Sequence, residues 1–135
     1  MSEFQFGKKE KLKSRKAISA LFTDGHSVYA YPVKLLYHPE SENPDPSFPV
    51  KTGFSVSAKK FRRAVDRNLL KRRMREAYRL HKNEIVCLLK THESHFNFFF
   101  LYIAPGIEDY SRIEHGIRKA LDILAEEFKE NKDLL

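Results

Sequence analysis

Between Lys59 and Lys82 the sequence places eleven lysines and arginines against only Asp66 and Glu76, a local net charge of +9. On a helix turning about 100° per residue, Asn68, Lys71, Arg72, Arg75, Arg79 and Lys82 fall along one side. Like charges then meet at i, i+4 positions, Lys71 with Arg75 and Arg75 with Arg79, which weakens a helix by about 0.2–0.5 kcal/mol per pair. A helix serving stability alone would interleave glutamates. Neutralising phosphates releases their counterions, and the guanidinium fork of Arg matches two phosphate oxygens at once, so the chemistry on offer is the holding of a polyanion. A second concentration, Lys8 to Lys16, carries six basic residues against Glu10, and with a total of +7 the rest of the chain sums to −7. Charge sorted into two patches in this way marks a polyanion partner, a nucleic acid or an anionic membrane surface.

Residues that could break bonds by themselves are not assembled by this sequence. A metal-dependent nuclease needs carboxylates or histidines converging on ions about 4 Å apart. Glu40, Glu42 and Asp45 instead lie in a proline-rich stretch, Asp122, Glu126 and Glu127 read as a charged helix face, and His81, His92 and His95 are loosely spaced. Cys87 is the one cysteine, read as a small apolar residue on a helix, with no partner for a disulfide or a zinc site. No catalytic and no metal-binding residue is therefore assigned to the protein. The longest apolar run, Phe98 to Ala104, is far short of the roughly 20 residues of a spanning helix. The first residues lack a signal-peptide core, so a cytoplasmic location and no membrane partner are expected.

The elements that must position the basic stripe can be read from periodicity and punctuation. With 135 residues and 41% hydrophobic content, one domain over residues 1–135 is expected, preceded by a basic tail at 1–13. Ser14 reads as an N-cap for a helix to Thr23, with Gly25 just past its end. Val28 to Tyr37 is strand material interrupted by Pro32, 38–49 is an acidic proline-rich loop, and Val50 to Ser57 is a half-buried strand with Phe54 and Val56 on one face. Arg63 to His81 is the basic helix, with Leu70, Met74, Ala77, Tyr78 and His81 turned to the core. Phe96 to Ile103 is a buried strand ended by Pro105-Gly106. A last helix starts near Ser111, where Ser111 and Glu114 fit a capping box, and buries Ile117, Leu121, Leu124 and Phe128. The order α-β-β-β-α-β-α is an α+β fold with a single central mixed sheet of about four strands packed with helices.

Two segments together resemble a known family. Gly53-Phe54-Ser55-Val56-Ser57-Ala58-Lys59-Lys60, followed by Ala64-Val65-Asp66-Arg67-Asn68-Leu69-Leu70-Lys71-Arg72-Arg73-Met74-Arg75-Glu76-Ala77-Tyr78-Arg79, is similar to the signature of the bacterial ribonuclease P protein component. Lys11 through Gly25 is similar to that family's opening helix, and Tyr102 to Pro105 to the end of its last strand. Leu69 stands where the signature has a further basic residue, and Ile18 where the first helix commonly has an aromatic, leaving Phe22 as the surviving ring.

The resemblance implies a ribosomal protein S5 domain 2-like fold with a left-handed β-α-β crossover, against the right-handed rule for such units. It also implies a non-catalytic protein subunit of an endoribonuclease whose active site is RNA. Its partners would be the catalytic RNA and precursor tRNA, with magnesium required by the holoenzyme through its RNA. Carried onto this chain, Lys59, Lys60, Arg63, Arg72, Arg75 and Arg79 would hold the catalytic RNA. Phe22, Tyr37, Phe54, Arg67, Asn68 and Lys71 would take the single-stranded 5′ leader of the precursor, the rings as stacking platforms and the polar groups as a basic track. The readings that compete are an RNA-binding module of another ribonucleoprotein and a self-sufficient nuclease. A DNA-binding basic helix fits poorly, since neither zipper heptads nor helix-turn-helix spacing is present.

Overall fold

The computed structural model describes residues 6–40 and 47–135, so half of the acidic loop, Glu42 and Asp45 with it, lies outside the described residues. Helix α1 spans Arg15–Asp24, strand β1 His26–Ala30, β2 Val33–Pro39, β3 Val50–Val56, α2 Ala64–His81, α3 Asn83–Thr91, β4 Phe96–Tyr102 and α4 Tyr110–Glu130. The four strands form one mixed sheet in the order β1-β2-β4-β3. β2 runs antiparallel to both of its neighbours, β1 and β4, and β3 lies parallel beside β4. A parallel pair needs a crossover, and α2 and α3 supply it. This is the expected α+β architecture with one helix more than the sequence reading assigned. α3 escaped because it is short and follows α2 at once; its apolar signal is Ile85 and Leu89, spaced i, i+4 and both buried. Cys87 does sit on a helix, but on the exposed side of α3.

Local chemistry sets the helix ends. The Ser14 hydroxyl accepts from the Ala17 N–H at 3.2 Å, and the Gly25 N–H closes α1 on the Leu21 carbonyl. For α4 the cap is Asp109, whose Oδ1 accepts from the Arg112 N–H at 2.9 Å. Ser111 is therefore already inside the helix, which corrects the expected capping box: Asp109 stands earlier in the chain and its carboxylate is the stronger acceptor.

The sheet buries both faces, unequally. On one face Val33, Leu35 and Tyr37 of β2 register with Tyr102, Phe100 and Phe98 of β4, and join Leu70, Met74, Ile117, Leu124 and Phe128 from α2 and α4 in the main core. α4 comes close because Gly116 has no side chain: a Cβ there would stand 2.7 Å from Pro32 Cδ and 2.8 Å from the Ala30 carbonyl. On the opposite face a small cluster of Leu12, Leu21, Leu36 and Phe99 seats α1 across the strands. Gly53 is the floor of that cluster, since a Cβ there would meet the Phe99 ring at 2.6 Å.

Candidate nucleic-acid interface

Leu70, Met74, Ala77 and Tyr78 are buried, which fixes the roll of α2 and turns Asn68, Arg72 and Arg75 out to solvent, with Lys71 half-buried beside them. The stripe is real but shorter than expected. Lys82 leaves it: only 4% exposed, its ammonium pairs with the Glu10 carboxylate. The reason is the end of α2 at His81, after which Lys82 turns inward. Arg79 stays on the surface but shares its guanidinium with Glu76, donating through Nε at 3.2 Å and Nη2 at 2.7 Å. This hydrogen bonding raises the Arg79 pKa and lowers that of Glu76.

Arg67 is a scaffold. Its Nη1 donates to the carbonyls of Phe61 at 2.7 Å and Arg62 at 2.9 Å. The same turn is held by the Phe61 N–H on the Ser57 carbonyl and by Phe61 packed edge-on to Tyr102 at 5.7 Å. Lys59, Lys60 and Arg63 are exposed on this braced turn, at the entrance to α2.

The basic segment 1–13, expected as a tail, is pinned from residue 6 onward. Phe6 packs edge-on against Phe54 and Tyr78, Glu10 pairs with Lys82, and the Leu12 N–H donates to the Thr52 carbonyl at 3.0 Å beside a parallel bridge of Lys11 with Thr52. The strap runs from the end of α2, around the free edge of β3, into α1. Lys8, Lys9, Lys11 and Lys13 are exposed along it. The second basic patch is thus tied to the first at the C-terminal end of α2, through Glu10 and Lys82. The signal missed was the apolar pair Phe6 and Leu12 among the lysines.

The aromatic residues divide. Phe22 is 58% exposed on α1, its ring edge-on to Phe99 at 5.8 Å. Tyr37 does not join it: the side chain is 4% exposed in the main core on the far face of the sheet, against Phe128, with its hydroxyl donating to Glu127 at 3.3 Å. Burial there pushes the Tyr37 pKa up to about 12. Phe54 also faces the main core, half-buried and stacked on Phe100 at 5.6 Å. Of the three expected platforms, only Phe22 lies beside α1. Strand alternation explains the division, because Tyr37 shares the parity of Val33 and Leu35 while Lys34, Leu36 and His38 point toward α1.

The α1 side therefore holds residues that the sequence reading passed over. Lys34, Leu101 and Ser55 form one row across β2, β4 and β3, two residues along each strand from the Leu36–Phe99–Gly53 row under α1 and on the same face. Ile18 and Leu101 pack on the edge of the small cluster, and Tyr29, 64% exposed, carries the Lys34 ammonium 4.9 Å from its ring centre. The result is an open flank with an aromatic wall, a cation and hydroxyls, suited to a flat base and its phosphate. Among the described residues no group of three His, Cys, Asp or Glu side chains is placed to hold a metal ion, and no helix is long and apolar enough to cross a membrane.

Comparison with known proteins identifies the family and the fold. The profile of the Ribonuclease P family matches residues 6–125. The ribonuclease P protein component of Porphyromonas gingivalis is 32% identical over 118 residues, spanning 87% of this chain and 85% of that protein. That of Chlorobium phaeobacteroides is 35% identical over 126 residues, spanning 82% of this chain and 86% of that one. Among solved structures, the RNase P protein of Staphylococcus aureus superposes with a TM-score of 0.67 at 22% identity, over 85% of this chain and 94% of that one. The Thermotoga maritima protein does so with a TM-score of 0.60 at 23% identity, over 87% and 96%. The structural likeness shows the fold and the sequence matches show the family. With the strand, braced turn and basic helix of its signature in place, and the family profile running from Phe6 to Ala125, this chain belongs to the ribonuclease P protein family.

Proposed function

We propose that this chain is the protein subunit of a ribonuclease P ribonucleoprotein, holding the catalytic RNA and the 5′ leader of precursor tRNA while the leader is removed. The observation that carries the reading is the exposure of the cationic turn and helix stripe. Lys59, Lys60, Arg63, Arg72 and Arg75 are exposed on a braced turn and a rigid helix, and nothing in fold stability requires so many like charges there. Along this surface the phosphates of a folded RNA are neutralised with release of counterions. The leader takes the α1 flank, where Phe22 offers a stacking face and Lys34, with Lys71 and Asn68 on α2, offers polar contacts; Tyr37 and Phe54 act behind it, as core. Magnesium ions held by the RNA supply the hydrolytic chemistry. The protein's share is binding and orientation.

The test is reconstitution. RNA-free chain mixed with precursor tRNA in magnesium should leave the substrate intact. Adding ribonuclease P RNA should give cleavage at the mature 5′ end at a lower magnesium concentration than the RNA alone requires. Cleavage by protein alone would favour a self-sufficient nuclease. No effect on the RNA's reaction, together with co-purification of a different structured RNA, would favour a module of another ribonucleoprotein.

A further inference from the structure

We propose a second nucleotide site on the opposite flank of α1 from Phe22, a pocket that takes a single-stranded nucleotide whose base carries an exocyclic amino group. Around the α1 axis, Ile18 and Phe22 fall on one side of the buried Leu21, and Ala17 and Ala20 fall on the other. The pocket lies on the alanine side and has a volume of about 510 Å³. Its sheet wall is the row His38, Asn97 and Lys51, in register across β2, β4 and β3. That row and the Lys34–Leu101–Ser55 row stand at opposite sides of the one beneath α1, so the two sites are separate.

Three features of the pocket specify its occupant. Lys8, Lys9, Lys11 and Lys13 of the strap supply a cationic rim. Leu12, Ala17 and Ala20 supply small apolar surface against which a flat ring can lie. Deep in the pocket stand two acceptors without donors. Asn97 is 5% exposed and its Oδ1 has no hydrogen-bond partner; the Glu40 side chain is 6% exposed and its Oε2 has none, although Oε1 accepts from Lys51 at 2.9 Å. Buried acceptors left unpaired are unfavourable and call for a donor. A simple anion would satisfy the lysines and be repelled by these oxygens. A metal ion or a basic peptide would suit the oxygens and be repelled by the lysines. A nucleotide satisfies both, with its phosphate at the rim and the two hydrogens of an amino group turned to the acceptors. Adenine, cytosine and guanine carry that group; uracil does not. The proposal stands independently of the leader reading, since it concerns the free chain and a different flank of α1.

The experiment uses the full-length, RNA-free chain with adenylate, cytidylate and uridylate tetramers at low salt, measuring affinity and amide chemical shifts together. Adenylate and cytidylate should bind about tenfold or more tighter than uridylate, with shifts at Ala17, Ala20 and the Asn97 side chain. Ala20→Glu, a surface change on α1 that projects a carboxylate into the lysine rim, should reduce the adenylate tetramer to uridylate affinity. Asn97→Leu, read with its thermal midpoint, should abolish the preference while leaving uridylate binding within about twofold. Competition with adenosine monophosphate distinguishes the source: displacement assigns the site to a free nucleotide as well, and failure to displace assigns it to a strand. Equal affinity for the three tetramers overturns the proposal. So do shifts confined to Phe22, Leu101 and Lys34, or a preference untouched by both variants.

Discussion

Phe22 and Tyr37 flank one sheet and have opposite fates: the first is 58% exposed beside α1, the second 4% exposed beneath α4. The face that holds Tyr37 is closed by two helices and lined with packed rings, Phe54 stacked on Phe100 and Phe96 tilted against Phe128. The face that holds Phe22 is crossed by one short helix seated on four buried side chains, with sheet surface left open on either side. Stability is invested on the first face, and accessible chemistry remains on the second. Composition alone would not separate them, since both are rich in aromatic and aliphatic residues; coverage by helices does.

The largest expected effect tests that division directly. Tyr37→Ala should cost about 3–5 kcal/mol of fold stability through the cavity it leaves, whereas Phe22→Ala should cost about 1 kcal/mol or less. In the assembled enzyme Phe22→Ala should instead weaken binding of leader-bearing precursor by about 1–3 kcal/mol, the worth of one stacked base, and leave mature tRNA unaffected. Thermal melts of the free protein and affinities for precursors with and without leaders decide the matter; equal melting losses for the two variants would dissolve the distinction between the faces.

A somewhat smaller effect follows from the buried phenol. The folded-state pKa of Tyr37 is raised to about 12, so its neutral form is favoured in the fold. That contribution is fully present below the ordinary value near 10 and is lost as pH rises toward 12, because the unfolded chain releases the proton first. Stability should therefore fall over that window by on the order of 1–2 kcal/mol from this group, with buried Tyr78 acting in the same direction. Tyr37→Phe should flatten the alkaline limb of a melting-temperature profile, and an unchanged limb would mean that the phenol is open to water.

The smallest effect on the fold belongs to the stripe. Arg72→Ala with Arg75→Ala should leave the melting temperature within about 2 °C, since both are exposed and sit among like charges. The log–log salt slope of RNA binding should fall by about 0.7–0.9 for each phosphate contact removed. An unchanged slope would remove these arginines from the interface.

Much of this was legible in the sequence for physical reasons. Ser14 and Gly25 announce α1 through cap chemistry, and Leu70, Met74 and Tyr78 fix the roll of α2, so the basic stripe could be drawn before any fold was known. Tyr37 was misplaced because Leu35-Leu36-Tyr37 is apolar throughout. A strand covered on both faces hides its own alternation, and only Lys34 betrays the register. Lys82 continues the helical pattern of α2 until the chain turns at His81, and its partner Glu10 lies too far away in sequence for any periodicity to indicate. The open flank of Lys34, Leu101 and Ser55 is a row across three strands, which exists only once β3 is known to lie parallel beside β4.

The strap has a consequence for how the chain behaves before it meets RNA. An outer strand such as β3 carries backbone N–H and C=O groups ready to pair with any other extended chain, and exposed edges of this kind seed aggregation. Here Lys11 and Leu12 already pair with Thr52, and the lysines around them repel an approaching copy. The residues that line the nucleotide pocket thus also serve as a guard rail on the sheet, keeping a concentrated, RNA-free pool of the protein from polymerising edge to edge while it waits for its partner.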